Sequence, residues 1–262
     1  MGKDVVSFEQ RGGVGYLMID RPEQKNALSN EVLAGLREGV ARAKRDRDVR
    51  VLVLRGAGDE AFCAGGDLRQ MNDSTIDPFD AHDGRSQLAY LFRDMWELGK
   101  PTIARVPGYA LAGGFGLAAA CDFIMASEKA VFGVPEIAVG LWPYMITVPL
   151  LHWMPAKQVL NLMLTGRRIK APEAMAMGFV TQVVPYEDLD AALDTLVERL
   201  TAASPQAVAL GRTAFYTVVN HDLDSRLRML QAHLSVSLSM PDAAEGVAAF
   251  TEKRKPVWNA DQ

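Results

Sequence analysis

Hydrophobic and polar positions along this chain switch between a strand period and a helix period. Val5 to Asp20 reads as a strand, a Gly12-Gly13 turn and a second strand. Arg21-Pro22-Glu23-Gln24-Lys25-Asn26 is polar and predicts a loop. Ser29 is placed to cap a helix, with Glu31 in its first turn. Val32, Leu33, Leu36 and Val40 fall on one helical face, and Arg42, Lys44 and Arg45 suit its C-terminal end. Val49 to Arg55 is a β-branched run between polar flanks and predicts a buried strand. The Gly-rich turn Phe62-Cys63-Ala64-Gly65-Gly66-Asp67-Leu68 follows.

The pattern then recurs. Asn72 to Gly84 carries Asp73, Asp77, Asp80, Asp83 and a proline, and predicts a mobile acidic loop of the kind that forms a lid. Arg85 to Leu98 predicts a helix and Pro101 to Val106 a strand. A second Gly-rich turn comes next, Ala112-Gly113-Gly114-Phe115-Gly116-Leu117. Leu117 to Cys121 is small enough for a tightly packed helix start, and Phe123-Ile124-Met125 predicts a strand. After Leu141 the pattern turns helical. Ser204-Pro205 reads as N-cap and first residue of one helix, and Glu252-Lys253-Arg254-Lys255-Pro256 as a basic last turn stopped by proline. The chain therefore divides into an α/β part over 1–200 and a helical part over 201–262, with no flexible linker between them.

Composition narrows the function classes. Hydrophobic residues at 49% and charged residues at 23% give a globular protein with a full core. A net charge of −4 lends no support to nucleic-acid binding. No apolar run approaches the roughly 20 residues of a membrane span, and Met1-Gly2-Lys3-Asp4 lacks the apolar segment of a signal peptide. Cys63 and Cys121 make no disulfide framework and read as reduced thiols of a cytoplasmic protein. His82, His152, His221 and His233 show no metal-site spacing and are expected at the surface or as satisfied core groups.

The chemistry concentrates at the two Gly-rich turns. Two such turns can aim backbone N–H groups at one point and stabilise negative charge growing on a carbonyl oxygen. Glu136, in Phe132-Gly133-Val134-Pro135-Glu136-Ile137, supplies a carboxylate after the second turn. Gly114-Phe115-Gly116-Leu117-Ala118-Ala119 fits the dinucleotide pattern G-x-G-x-x-A, but its glycines do not directly follow a strand and no strand visibly ends at Glu136. Cys63 has no nearby histidine in sequence and reads as a packing residue.

These segments resemble the crotonase (enoyl-CoA hydratase/isomerase) superfamily. The matching stretches are Arg21-Pro22…Asn26-Ala27-Leu28, Ala61 to Leu68, Gly108 to Gly114, Pro135-Glu136-Ile137…Gly140, Leu164 to Arg167, Ala174…Gly178-Phe179-Val180 and Ala249 to Arg254, in family order over nearly the whole chain. The resemblance implies an α/β, crotonase-like spiral of repeated ββα units with a C-terminal helical region that builds a homotrimer or homohexamer. It implies an acyl-CoA thioester substrate, with no metal and no cofactor beyond the CoA of the substrate itself.

Carried onto this sequence, the resemblance puts the two oxyanion donors on the N–H groups of Ala64 and Gly113. It puts CoA contacts on Gln24, Lys25, Ala27 and on Ala64, Gly65, Gly66, Asp67 and Leu68. Phe250 and Lys253 match positions that reach the nucleotide end, often from a neighbouring subunit, and Lys25 and Lys253 suit phosphate as point charges. Of the two glutamates typical of the family's hydratases, Glu136 occupies one position and Gly116 the other. A two-acid hydration is thereby broken, whereas double-bond isomerisation needs a single base. Trp142, Tyr144 and Met145 replace a Gly-rich stretch common in hydratases and are expected to line the acyl pocket, with Tyr144 a candidate for positioning water. The sequence thus favours isomerisation. Hydration by a modified acid pair, non-catalytic acyl-CoA binding, and decarboxylation or thioester hydrolysis are its alternatives.

Overall fold

Successive short strands pass between two sheets, and that alternation builds the α/β core. The computed structural model describes residues 4–71, 77–219 and 221–258. β1 (Val6–Arg11) and β2 (Val14–Ile19) form an antiparallel hairpin across Gly12 and Gly13. α1 (Asn30–Arg45) follows, capped by the Ser29 hydroxyl, which accepts from the Val32 N–H at 3.2 Å. Its buried face is Val32, Leu33, Leu36, Val40 and Ala43.

Three units then repeat a two-strand step. β3 (Val51–Gly56) leads to β4 (Ala61–Cys63), α2 (Leu68–Met71) and α3 (Pro78–Trp96). β5 (Thr102–Val106) leads to β6 (Tyr109–Leu111) and α4 (Gly113–Ala119). β7 (Phe123–Ser127) leads to β8 (Val131–Gly133), a 3-10 turn over Pro135–Val139, α5 (Thr147–Trp153) and α6 (Ala156–Thr165). With β9 (Arg168–Lys170) and β10 (Gln182–Val184) included, the first strand of each unit enters a six-stranded sheet of order β1-β2-β3-β5-β7-β10, and the second enters a four-stranded sheet of order β4-β6-β8-β9. β9, α7 (Ala171–Ala176) and β10 complete the two sheets. This is the spiral of ββα units that the sequence implied.

The six-stranded sheet is buried on both faces, which explains its near-continuous apolar strands. One face joins the main core with Leu17, Leu52, Leu54, Phe62 and Phe115. On the other face, Leu189, Leu193 and Val197 of α8 (Leu189–Thr201) cover Val14, Val51, Val53, Ile103 and Met125. Each such burial contributes about 1.5–3 kcal/mol. α9 (Pro205–Val218), α10 (Leu223–Leu238) and α11 (Pro241–Glu252) form the helical C-terminal part. The Ser204 hydroxyl caps α9 through the Ala207 N–H at 3.0 Å.

Two expectations change here. The acidic stretch is not a loop throughout: α3 begins at Pro78, a favoured first helical residue, rather than at Arg85, while 72–76 lie outside the described residues. The region after Leu141 is not wholly helical, since β9 and β10 are strands of three residues each, too short to leave a period.

Candidate active site

The first Gly-rich turn is held by the loop at 21–28. Asn26 is fully buried and left-handed, with φ of 56°. Its Nδ2 donates to the carbonyls of Ala57 at 3.0 Å and Ala61 at 2.8 Å, and its Oδ1 accepts from the Arg21 N–H at 3.1 Å. The loop is thereby pinned to the corner between β3 and β4. The Arg21 guanidinium donates to the Ala27 carbonyl and to Asp67, both at 2.9 Å. Burial pushes the Asp67 carboxyl up, but its bond to Arg21, the Arg21 charge and the N–H groups of Arg69 and Gln70 outweigh it and hold the group below its ordinary value. Asp67 is thus a tie between loop and turn.

A parallel bridge between Leu28 and Gly66 completes the clamp. The Leu28 N–H donates to the Gly65 carbonyl at 2.7 Å and the Asp67 N–H to the Leu28 carbonyl at 2.9 Å. In a strand-like bridge successive groups face opposite sides, so the Gly66 N–H is directed away from Leu28. It meets no acceptor among the described residues. Gly65 has φ of +102°, and a Cβ there would stand 2.6 Å from the Ala112 Cβ and 3.3 Å from the Gly113 nitrogen. The Gly66 nitrogen lies 3.7 Å from the point where a Gly113 Cβ would sit. The two turns therefore touch, with the Gly66 and Gly113 nitrogens at the junction.

The second turn is aimed by strain. Ala112 has φ 50° and ψ −128°, a region that glycine enters freely and alanine does not. Its N–H donates to the Gly133 carbonyl at 2.9 Å, continuing the parallel register in which Leu111 faces Gly133. The chain then turns into α4, whose first bond runs from the Gly116 N–H to the Ala112 carbonyl at 3.1 Å. The Gly113 N–H meets no acceptor among the described residues.

One expected donor is corrected. The Ala64 N–H donates to the Lys25 carbonyl at 3.0 Å and is already occupied. Gly66, two residues later, presents beside Gly113 an N–H with no acceptor among the described residues.

Glu136 sits in the first turn of the 3-10 segment that follows β8. The Leu111–Gly133 register carries that segment to the same sheet end as the Gly113 turn. Glu136 is half-buried, and its Oε2 is buried with no hydrogen-bond partner among the described residues. Burial raises the carboxyl pKa, against a weaker opposing bond from its own backbone. The Leu141 N–H donates to the Glu136 carbonyl at 3.0 Å and fixes the turn.

The position expected to carry a second acid is closed. Gly116 is buried, and a Cβ on it would lie 2.3 Å from Ile146 Cγ2, 2.6 Å from Ile146 Cβ and 3.3 Å from Phe92 Cζ. Ile146 and Phe92 are 3% and 4% exposed. A glutamate there has no room without displacing a core side chain. Nothing local in sequence signals Ile146 or Phe92, which reach Gly116 from about 30 and 24 residues away in the chain.

The remaining expected residues are distributed unevenly. Gln24 is exposed in a 3-10 turn over Pro22–Gln24, and Ala27 is half-buried beside it. Lys25 is exposed, and its Nζ pairs with Glu60 at 2.6 Å over the Tyr109 ring. Leu68 is exposed at the start of α2. Trp142 is half-buried against the core, and Tyr144 is 75% exposed. Phe250 lies exposed on α11 and Lys253 just past it, where α11 packs against α9 and α10. Cys63 is buried, its thiol pushed up to about 12 by desolvation, which suits packing and not nucleophilic attack. His152 is not a satisfied core group. Its ring lies within 5.4 Å of Trp96 and Tyr216, and its buried Nε2 has no partner among the described residues.

Spiral ββα units, with the Gly113 turn and the Glu136 segment at one sheet end, define a crotonase-type enzyme. The family model described as enoyl-CoA hydratase/isomerase matches residues 9–261, and the chain belongs to that family. Relatives include a probable mitochondrial enoyl-CoA hydratase of Dictyostelium discoideum, 34% identical with 96% of this chain and 89% of that protein covered. An (E)-benzylidenesuccinyl-CoA hydratase of Thauera aromatica is also 34% identical, over 97% of this chain and 98% of that protein. The crystal structure of an enoyl-CoA hydratase from Mycobacterium smegmatis superposes with a TM-score of 0.93 at 33% identity, covering 98% of this chain and 99% of that one. The mitochondrial name of the Dictyostelium relative gives the cytoplasmic expectation no support. Among the described residues no helix is long and apolar enough to cross a membrane.

Proposed function

We propose that the chain isomerises the double bond of an enoyl-CoA thioester with Glu136 as its single acid/base. The thioester oxygen is held between the N–H groups of Gly66 and Gly113. Glu136 removes a proton from C2 of a 3-enoyl thioester, the electron pair moves so that the double bond forms between C2 and C3, and the same carboxyl returns the proton at C4. The two N–H groups stabilise the dienolate meanwhile, each worth about 3–4 kcal/mol in such sites. The raised pKa of Glu136 brings its carboxylate nearer the operating range of a base.

The observation that carries the single-acid reading is the packing at Gly116. Ile146 and Phe92 fill the space a second carboxyl needs. Hydration is the second reading, and the hydratase names of the Dictyostelium and Thauera relatives favour it. CoA is then the handle of the substrate and no further cofactor enters. Gln24, Lys25 and Ala27, together with the turn from Ala64 to Leu68, face the CoA moiety. Phe250 and Lys253 join the site from a neighbouring chain of a homotrimer or homohexamer. The exposed stripe Leu223, Leu227, Leu230 and Leu234 at helical spacing on α10 supports self-association.

Incubation with 3-enoyl-CoA and with 2-enoyl-CoA in D₂O, read by mass, tests this. Interconversion with deuterium entering the acyl chain supports isomerisation. Uptake of one water across the double bond assigns hydration instead, and no change in either thioester removes both readings.

A further inference from the structure

Behind Gly116 lies a cleft of about 450 Å³ between α3, the start of α5 and α9, lined by Phe92, Trp96, Met145, Val148 and Tyr216. Its volume is that of a small-molecule site, and these residues make its wall mostly apolar although Arg93, Glu97, Thr213 and Thr217 also border it. Phe92 belongs to both spaces. Its ring lines the cleft, while its Cζ lies 3.3 Å from the point where a Gly116 Cβ would be. Ile146 stands beside it, following the cleft residue Met145 in sequence and covering Gly116 more closely still.

Gly116 is one helical turn from Gly113 and on the same face of α4. The first acyl carbons beyond a thioester carbonyl at Gly113 run along that face and meet whatever covers Gly116. Phe92 is part of that cover and of the wall of the 450 Å³ cleft, so the cleft lies on its far side.

We propose that Ile146 and Phe92 form the wall that sets acyl-chain length, admitting short acyl groups and shutting longer ones out of the cleft. The inference rests on the acyl-CoA reading above. Both residues are specificity-determining and neither takes part in proton transfer. With the wall in place the cleft stays outside the substrate site. With Ile146 shortened the two spaces become one channel, which a longer apolar chain fills.

The test is binding of saturated, unreactive thioesters, which needs no turnover. Dissociation constants of butyryl-CoA and decanoyl-CoA are measured by calorimetry on the wild type, Ile146→Ala and Ile146→Val. The wild type is expected to bind butyryl-CoA at least about 10-fold more tightly than decanoyl-CoA, within the range that a misfit of methylene scale produces in an apolar pocket. Ile146→Ala is expected to reverse that order. Ile146→Val, which deletes one methyl group and leaves the fold intact, moves the ratio in the same direction by less. Equal binding of the two thioesters by the wild type, or an unchanged ratio in both variants, overturns the wall. Failure of the wild type to bind either thioester overturns the acyl-CoA reading, and this inference with it.

Discussion

The Ala112 N–H donates to the Gly133 carbonyl at 2.9 Å, and this bond fixes the strained turn before Gly113 against the strand that leads to Glu136. The Gly113 turn and the Glu136 segment are thus set by one sheet end and not by two independent loops. The neighbouring contact between Gly65 and the Ala112 Cβ then positions the Gly66 N–H from the other side.

Gly65→Ala tests that junction. The new Cβ needs the space of the Ala112 Cβ, 2.6 Å away, at a φ of +102° that alanine disfavours. The expected cost is about 1–3 kcal/mol of stability, with a loss of about 10²-fold or more in kcat/KM as one donor is turned aside. A chemical melt and steady-state kinetics on an enoyl-CoA read both. Unchanged kinetics would remove the Gly66–Gly113 pair from the mechanism.

Glu136→Gln is expected to lower turnover by about 10²–10⁴-fold, the usual worth of a positioned acid/base, while acyl-CoA binding stays near normal. In the wild type, kcat/KM should fall as pH drops through a pKa above the ordinary glutamate value, because the base is lost when protonated. The stability effect has the opposite sense. A carboxyl whose folded pKa is raised binds its proton more tightly when folded, so its contribution is present at low pH and is lost as pH rises through the folded pKa. The glutamine variant should therefore gain in Tm relative to wild type as pH rises from about 4 toward neutrality.

Gly116→Glu tests whether the missing acid can simply be restored. With Ile146 Cγ2 2.3 Å from the new Cβ, the variant is expected to lose about 1–3 kcal/mol by overpacking and several degrees of Tm, with no gain in water addition. Adding Ile146→Gly should recover part of the lost Tm. Robust hydration by the single variant would show that Gly116 does have room for a carboxyl.

His152 gives a prediction remote from the chemistry. Desolvation lowers its pKa, and the Asp122 charge opposes this more weakly. The sign follows from the neutral form being the one folded into the aromatic cluster. Stability is present above the unfolded pKa of about 6.5 and is lost as pH falls below it. His152→Phe should flatten the drop in Tm between about pH 7 and pH 5. An identical slope in both proteins would place the acid sensitivity elsewhere.

The larger elements were legible in the chain because their signals are local. The Ser29 cap, the α1 apolar face and the strands at 51–56 and 102–106 each lie within one window of sequence. The turn into α4 at Gly113 and the Pro135-Glu136 start of the 3-10 segment are legible through their motifs. The occupation of the Ala64 N–H, expected as the first donor, is not legible locally, because the Lys25 carbonyl that takes it and the bridge to Leu28 both come from a different loop. Tyr144, expected at the acyl pocket from its bulk and from the stretch it replaces, is 75% exposed, which no local signal gives. The closure of Gly116 was invisible, since Ile146 and Phe92 converge on it only in three dimensions.

The groups proposed to hold the thioester oxygen are main-chain N–H groups at Gly66 and Gly113, and no substitution short of proline deletes such a group. Side-chain change can bend the turns but cannot erase the proposed anion site itself. What such change can rewrite is the small set of side chains facing it: the carboxyl at 136, the cover at 146 and 92, and the blank at 116. On that proposal thioester handling is inherited with the backbone, while the reaction performed there is open to revision at a handful of positions, so diversification within this architecture need not begin by rebuilding a site.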